Sequence, residues 1–153
     1  MTRALLCLLA FHTTALAAQA PSFVGGWQLS YPVGAMVENG EVTVIMGTGT
    51  LTIVAQGDSL IGTLVTDSTP GERPRPAVRL AARAVTGAAT FVSHSEATMN
   101  INGQESKATV VSTWALKVQG DSLSGTVART IEGFNMAGGD QPPQPVTGSR
   151  KKG

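Results

Sequence analysis

The sequence predicts an all-β domain, an eight-stranded antiparallel up-and-down β-barrel, with a two-sheet β-sandwich as the alternative. Three observations carry this. Downstream of Pro21, apolar residues alternate with polar or small ones at a period of two, and no segment holds a helical stripe. The chain's 18 Gly and 8 Pro are concentrated between the alternating runs, where turns need them. The connections are alternately short and long, which in a meander puts all the tight turns at one end and all the long connections at the other.

Composition sets the frame. A chain of 153 residues is long enough for one core without disulfides, and 42% hydrophobic against 14% charged residues argues for a globular domain. A net charge of +1 gives no long-range pull towards nucleic acid.

Residues 1–20 read as a secretory signal peptide: basic Arg3, the apolar run Ala4 to Phe11, then Ala18-Gln19-Ala20, with cleavage expected near Ala20. The run is too short to span a bilayer, and no later stretch reaches the ~20 apolar residues a membrane helix needs. Export to the periplasm or the extracellular space follows. Cleavage takes Cys7 and Arg3 with it, leaving ten basic and ten acidic residues in a single domain, 21–153. A mature chain without cysteine has no disulfide, thiolate nucleophile or thiolate metal site.

The predicted strands follow in order. Strand 1 (26–31) alternates Trp27, Leu29 and Tyr31 with Gln28 and Ser30. A small hairpin over Val37 to Ile45 turns at Glu38-Asn39-Gly40-Glu41. Strands 2 (49–56) and 3 (60–67) meet at Gly57-Asp58. Strand 4 (77–85), carrying Val78, Leu80 and Ala82 on one face, meets strand 5 (88–96) at Thr86-Gly87. Strand 6 (105–118), with Ser112, Trp114, Leu116 and Val118 in phase, meets strand 7 (122–131) at Gly120-Asp121. Strand 8 spans 145–150. Residues 50–63 and 113–126 match at eight of fourteen positions, including Gln-Gly-Asp-Ser-Leu, so one hairpin turn is used twice.

A closed barrel of eight strands holds either packed side chains or one small ligand, and the end with long connections is its expected mouth. Tyr31, Trp114 and Arg129 are the predicted wall residues of that site. Met36, Met46, Met99 and Met136 fall in the predicted mouth segments, where thioethers suit loosely shaped apolar ligands or pack as a lid. Arg129, in phase with Leu123, Gly125 and Val127, points inward near the mouth. A buried guanidinium needs a partner, for which Glu132, water or a ligand anion are the candidates. Arg73 and Arg75, on a Pro-rich connection, read as solvated.

Opening Gly25-Gly26-Trp27 and closing Pro145-Val146-Thr147-Gly148-Ser149-Arg150 resemble the calycin barrels, meaning lipocalins, fatty-acid-binding proteins and avidins. Those begin with Gly-x-Trp and carry a basic residue near the end of the last strand. The resemblance implies that Trp27 plugs the closed end and packs against Arg150, or Lys151 if the register slips. Avidin sites stack several tryptophans on biotin. Trp27 and Trp114 are the only two tryptophans here, so biotin is not the expected ligand.

Catalytic motifs fare less well. Gly-Asp-Ser-Leu, at 57–60 and 120–123, resembles the signature of a hydrolase family with a nucleophilic serine. That chemistry requires a His base and an orienting carboxylate. The mature chain has a single His, His94, with no Asp three residues before it, and both copies behave as turns. His94 and Glu96 share a strand face as an acid/base or metal pair, but they face solvent if Phe91 and Ser93 face the core. No catalytic residue, metal or cofactor is therefore expected. The reading is a binding protein for a small apolar or amphipathic ligand. The alternative is an interaction barrel presenting loops to a protein partner, and behind it a small-barrel isomerase, cyclase or hydrolase. Nothing in the sequence sets an oligomeric state.

Overall fold

The computed structural model describes residues 22–38, 41–68, 74–83, 87–101, 104–132 and 142–152, with 35–38, 41–42, 97–101 and 104 described by backbone alone. The expected signal segment with Cys7, and Met136, lie outside the described residues. Eight strands follow one another: β1 (Gly25–Glu38), β2 (Glu41–Gln56), β3 (Ser59–Thr66), β4 (Val78–Arg83), β5 (Ala88–Ile101), β6 (Gln104–Gln119), β7 (Ser122–Glu132) and β8 (Gln144–Arg150). Each pairs antiparallel with the next, and β8 returns to β1 through Trp27 opposite Arg150 to Ser30 opposite Thr147. The closed ladder excludes the sandwich alternative. No helix among the described residues is long and apolar enough to cross a membrane.

The period of two becomes the inside and outside of the barrel. Leu60 and Leu64 on β3, Phe91 and Ser93 on β5, and Ser112, Trp114, Leu116 and Val118 on β6 are all buried, with exposed residues at most positions between them. Leu29, Leu51, Ile53, Leu80, Leu123, Val127 and Val146 complete one continuous core. Burying each such side chain contributes roughly 1.5–3 kcal/mol, which lets a chain with a single cysteine fold without an internal disulfide. Both copies of the repeated turn use their glycine in the left-handed region, Gly57 at φ 59° and Gly120 at φ 60°.

One sequence expectation changes. The connections β1–β2 and β5–β6 are not long loops. Past Ser30, where pairing with β8 stops, and before Gly49, where pairing with β3 starts, β1 and β2 continue as a two-stranded ribbon to Glu38 opposite Glu41. The hairpin expected at 37–45 is the tip of that ribbon. β5 and β6 likewise run on to Ile101 opposite Gln104. Alternation weakens there because a ribbon without a barrel beneath it has no fixed inner face.

A register shift between Pro32 and Gly34 leaves Val33 without a cross-strand partner. Such a bulge re-aims a side chain, and here Val33 packs against the core cluster at the mouth. Pro32 sits just beyond the last β1–β8 pair, so its missing N–H removes no ladder bond. β4 is paired with β3 over six positions and, among the described residues, with β5 at one, Ala81 opposite Val92.

Candidate functional site at the barrel mouth

The closed end defines the site by contrast. Arg150 lies with its guanidinium carbon 4.2 Å from the centre of the Trp27 ring. Its Nη1 and Nη2 donate to the carbonyls of Val24 (3.0 Å) and Ser22 (2.9 Å), and its Nε meets the Asp121 carboxylate at 3.1 Å. The segment before β1 is thereby drawn across the barrel end. Phe23 turns inward from that segment, is 2% exposed, and meets Phe91 edge-on at 5.7 Å between ring centres. The Trp27 indole donates to the Phe23 carbonyl at 2.8 Å. Gly25 makes room for this clamp: its φ is +128°, and a Cβ there would lie 2.8 Å from Arg150 Nη1. This end is sealed.

At the opposite end the core stops short and leaves a cavity of about 340 Å³. Tyr31, Leu64, Val78 and Trp114 form its apolar wall, with Val33 of the bulge at the rim. Ser93, Ser95, Ser112 and Thr66 supply hydroxyls, and Arg75, Arg129 and Glu96 supply charge. Tyr31 and Trp114 stand 5.6 Å apart with their planes tilted by 59°, so two aromatic faces border one space. Thr66 shares a 2.7 Å hydrogen bond with the Tyr31 hydroxyl, and the Trp114 indole donates to Ser93 Oγ at 3.4 Å.

Arg129 reaches from β7 across the start of the short β8, where its Nη2 donates to the Pro32 carbonyl at 2.6 Å. The expected carboxylate partner is replaced by a carbonyl. That satisfies one N–H, and among the described residues no carboxylate forms an ion pair with Arg129; Glu132 is exposed. Arg75 arrives from the β3–β4 connection, and its Nη1 donates to the carbonyl of the bulged Val33 at 3.2 Å. Two cations thus hold adjacent carbonyls of β1. Arg75 is exposed, as expected, yet it also lines the cavity, which the sequence reading missed.

Burial and charge act on both titrating groups here. Burial pushes the Tyr31 hydroxyl above the ordinary phenol value, against the opposing pull of Thr66, Arg75 and Arg129, and Asp67 adds to the rise. Burial lowers Arg129 below the ordinary guanidinium value, with Tyr31 working the other way. Asp67 is occupied elsewhere: its Oδ2 accepts from Gln28 (2.9 Å) and Thr48 (2.7 Å) on the wall.

The structure therefore brings Tyr31, Trp114 and Arg129 to one cavity. Met36 and Met99 lie in the ribbon strands, opposite Thr43 and Ser106, not in loops. Met46 is 46% exposed and borders an adjoining depression of about 390 Å³ with Ile45 and Asp67, which shares Val33, Thr66 and Arg75 with the cavity. A larger hollow of about 790 Å³ lies over β5 to β7, lined by small residues such as Ala88 and Ala115 together with Arg83, Lys117, Thr90, Ser124 and Thr126. His94 is exposed while Phe91 and Ser93 are buried. Ser59 and Ser122 open β3 and β7 at the closed end. No group of three metal-ligating side chains occurs among the described residues. Ser112 was read as a small interior residue leaving room for a cavity, whereas Ser93 was missed as a cavity residue although it breaks an otherwise apolar inward phase.

Fold and cavity together define a small closed antiparallel barrel, plugged at one end and pocketed at the other. Comparison with protein-family models, curated proteins and solved structures finds no match for this chain.

Proposed function

We propose that this chain is an exported, non-enzymatic binding protein of calycin-like build that holds a small apolar or amphipathic molecule in the barrel mouth. The observation that carries the reading is the cavity of about 340 Å³ bordered by Tyr31, Trp114, Leu64 and Val78 above a filled core. Ligand pockets are usually concave and mostly apolar, with a few polar groups that fix orientation, and this volume is at the small end of their range. Export rests on the pattern of residues 1–20. The calycin likeness rests on Gly25-Gly26-Trp27 and on the Trp27–Arg150 contact at the closed end.

Native mass spectrometry of the protein purified from its own host tests both parts. Expected are a chain beginning near Pro21 and a second species heavier by one small molecule, which is lost on collisional activation. A chain retaining residues 1–20 contradicts export. An apo mass alone, together with no response of Trp114 fluorescence to any amphiphile, contradicts binding.

One observation favours an interaction role as the second reading. The β1–β2 ribbon projects past its neighbours with Ile45 and Met46 both nearly half exposed. Shortening the ribbon between Gly34 and Ile45 leaves the cavity in place, and loss of a partner without loss of the small molecule would favour this reading.

A further inference from the structure

Within the reading of the mouth as a ligand site, the charges at the cavity specify one end of the ligand. Arg129 and Arg75 approach β1 from β7 and from the β3–β4 connection, and both line the same cavity. Each spends one donor on a carbonyl, Pro32 and Val33 respectively. A guanidinium has five N–H donors, so each retains several. Among the described residues the only ion pair is Arg150 with Asp121, at the far end of the barrel. Of the neighbouring carboxylates, Asp67 is engaged by Gln28 and Thr48, and Glu96 is exposed at the rim without a bridge to either arginine. Among the described residues the cavity is therefore lined by two cations and one carboxylate.

Carbonyl anchoring matters for what these groups can bind. A hydrogen bond to a neutral oxygen orients the guanidinium but leaves its charge unneutralised, and the half-burial of Arg129 strengthens that charge's pull on an incoming anion. The hydroxyls of Ser93, Ser112 and Thr66 lie around the same space, while Trp114 and Leu64 offer nothing to a charge. We propose that the mouth cavity takes an amphiphile by an anionic oxygen head, a carboxylate, held between Arg129 and Arg75 with its apolar body against Trp114 and Tyr31. An alcohol of the same length lacks the charge, and an amine carries the wrong one.

The test is a titration of the full chain, followed by intrinsic fluorescence, with octanoate, 1-octanol and octylammonium, each below its aggregation limit. Trp27 is fully buried at the sealed end, so the change reports Trp114. Octanoate is expected to bind roughly ten- to hundredfold more tightly than octanol, the worth of one charge-assisted hydrogen bond, and octylammonium more weakly than either. Arg75→Gln, at an exposed position, should weaken octanoate about tenfold while leaving octanol unchanged. Arg129→Gln should do the same or more, with circular dichroism checking its fold. Octanol binding as tightly as octanoate overturns the anionic head and leaves the apolar cavity standing. Failure of all three probes overturns both. Octanoate affinity unmoved by Arg75→Gln and by a folded Arg129→Gln also refutes the assignment.

Discussion

Replacing Arg150 by Gln should unlock the closed end. Three kinds of contact are lost. The cation over Trp27, at 4.2 Å and partly shielded, is worth about 1 kcal/mol, between the exposed and desolvated values. The donors to Val24 and Ser22 are charge-assisted, but the side chain is 28% exposed, so after screening they contribute roughly 1 kcal/mol each. The Asp121 partner is 81% exposed, which puts that ion pair near the bottom of the ~0–1 kcal/mol range. Together the loss is about 3 kcal/mol, a large fraction of the ~5–15 kcal/mol that holds a domain folded. Arg150→Lys keeps the cation but not the fork, and should cost about half as much. Asp121→Asn should cost under about 0.5 kcal/mol. Urea unfolding followed by fluorescence gives all three values, with the slope checked for constancy. Equal costs for Arg150→Gln and Asp121→Asn would refute the argument that the carbonyl and indole contacts, and not the ion pair, hold the strap. A cost below about 1 kcal/mol for Arg150→Gln would refute the clamp itself.

Three further outcomes follow from the same geometry. Tyr31 is the only tyrosine in the chain, so ultraviolet difference absorbance reads its titration alone, with a midpoint above the ordinary value of about 10. A folded-state value raised in this way favours the protonated form. Its stabilising contribution is thus complete below the unfolded value and is lost as pH rises through the folded one; Tyr31→Phe should flatten that part of the alkaline stability loss. Arg75→Gln or Arg129→Gln should raise the midpoint further, and a fall would contradict the electrostatics of the mouth. Gly57→Ala and Gly120→Ala should each cost about 1–2 kcal/mol, since both turns require the left-handed region, and a neutral result at either would contradict that turn geometry. Amide hydrogens of β4 should exchange well before those of β6, because among the described residues β4 meets β5 at a single ladder position; equal protection would mean that the β4–β5 seam is fully zipped.

Much of the barrel was legible because alternation is a local property. Trp27, Leu29 and Tyr31, or Trp114, Leu116 and Val118, announce a strand and its inner face without reference to anything distant. The repeated Gln-Gly-Asp-Ser turn is equally local. The Trp27–Arg150 contact was implied by the resemblance to calycin barrels, and the placement of both residues at the tight-turn end agreed with it. What escaped depends on where the ladder stops. The shortness of β8 leaves the Pro32 carbonyl open to Arg129, 97 residues away, and no spacing in the sequence announces that pairing. Arg75 between two prolines looks like a loop residue and is one, but the bulge at Val33 turns a carbonyl towards it. Phe23 carries no periodic partner, because it belongs to a strap and not to a strand. The ribbons were misread as loops since their residues have no core to alternate against.

Binding at the mouth, not at the sealed end, is the central claim, and the two indole N–H groups separate the cases. Trp114 stands in the cavity and Trp27 under Arg150 at the other pole. In a 15N-resolved nuclear magnetic resonance titration with octanoate, the Trp114 indole signal should move saturably while that of Trp27 stays fixed. A Trp27 signal that moves while Trp114 does not, or two signals unmoved at saturating octanoate, would contradict the account.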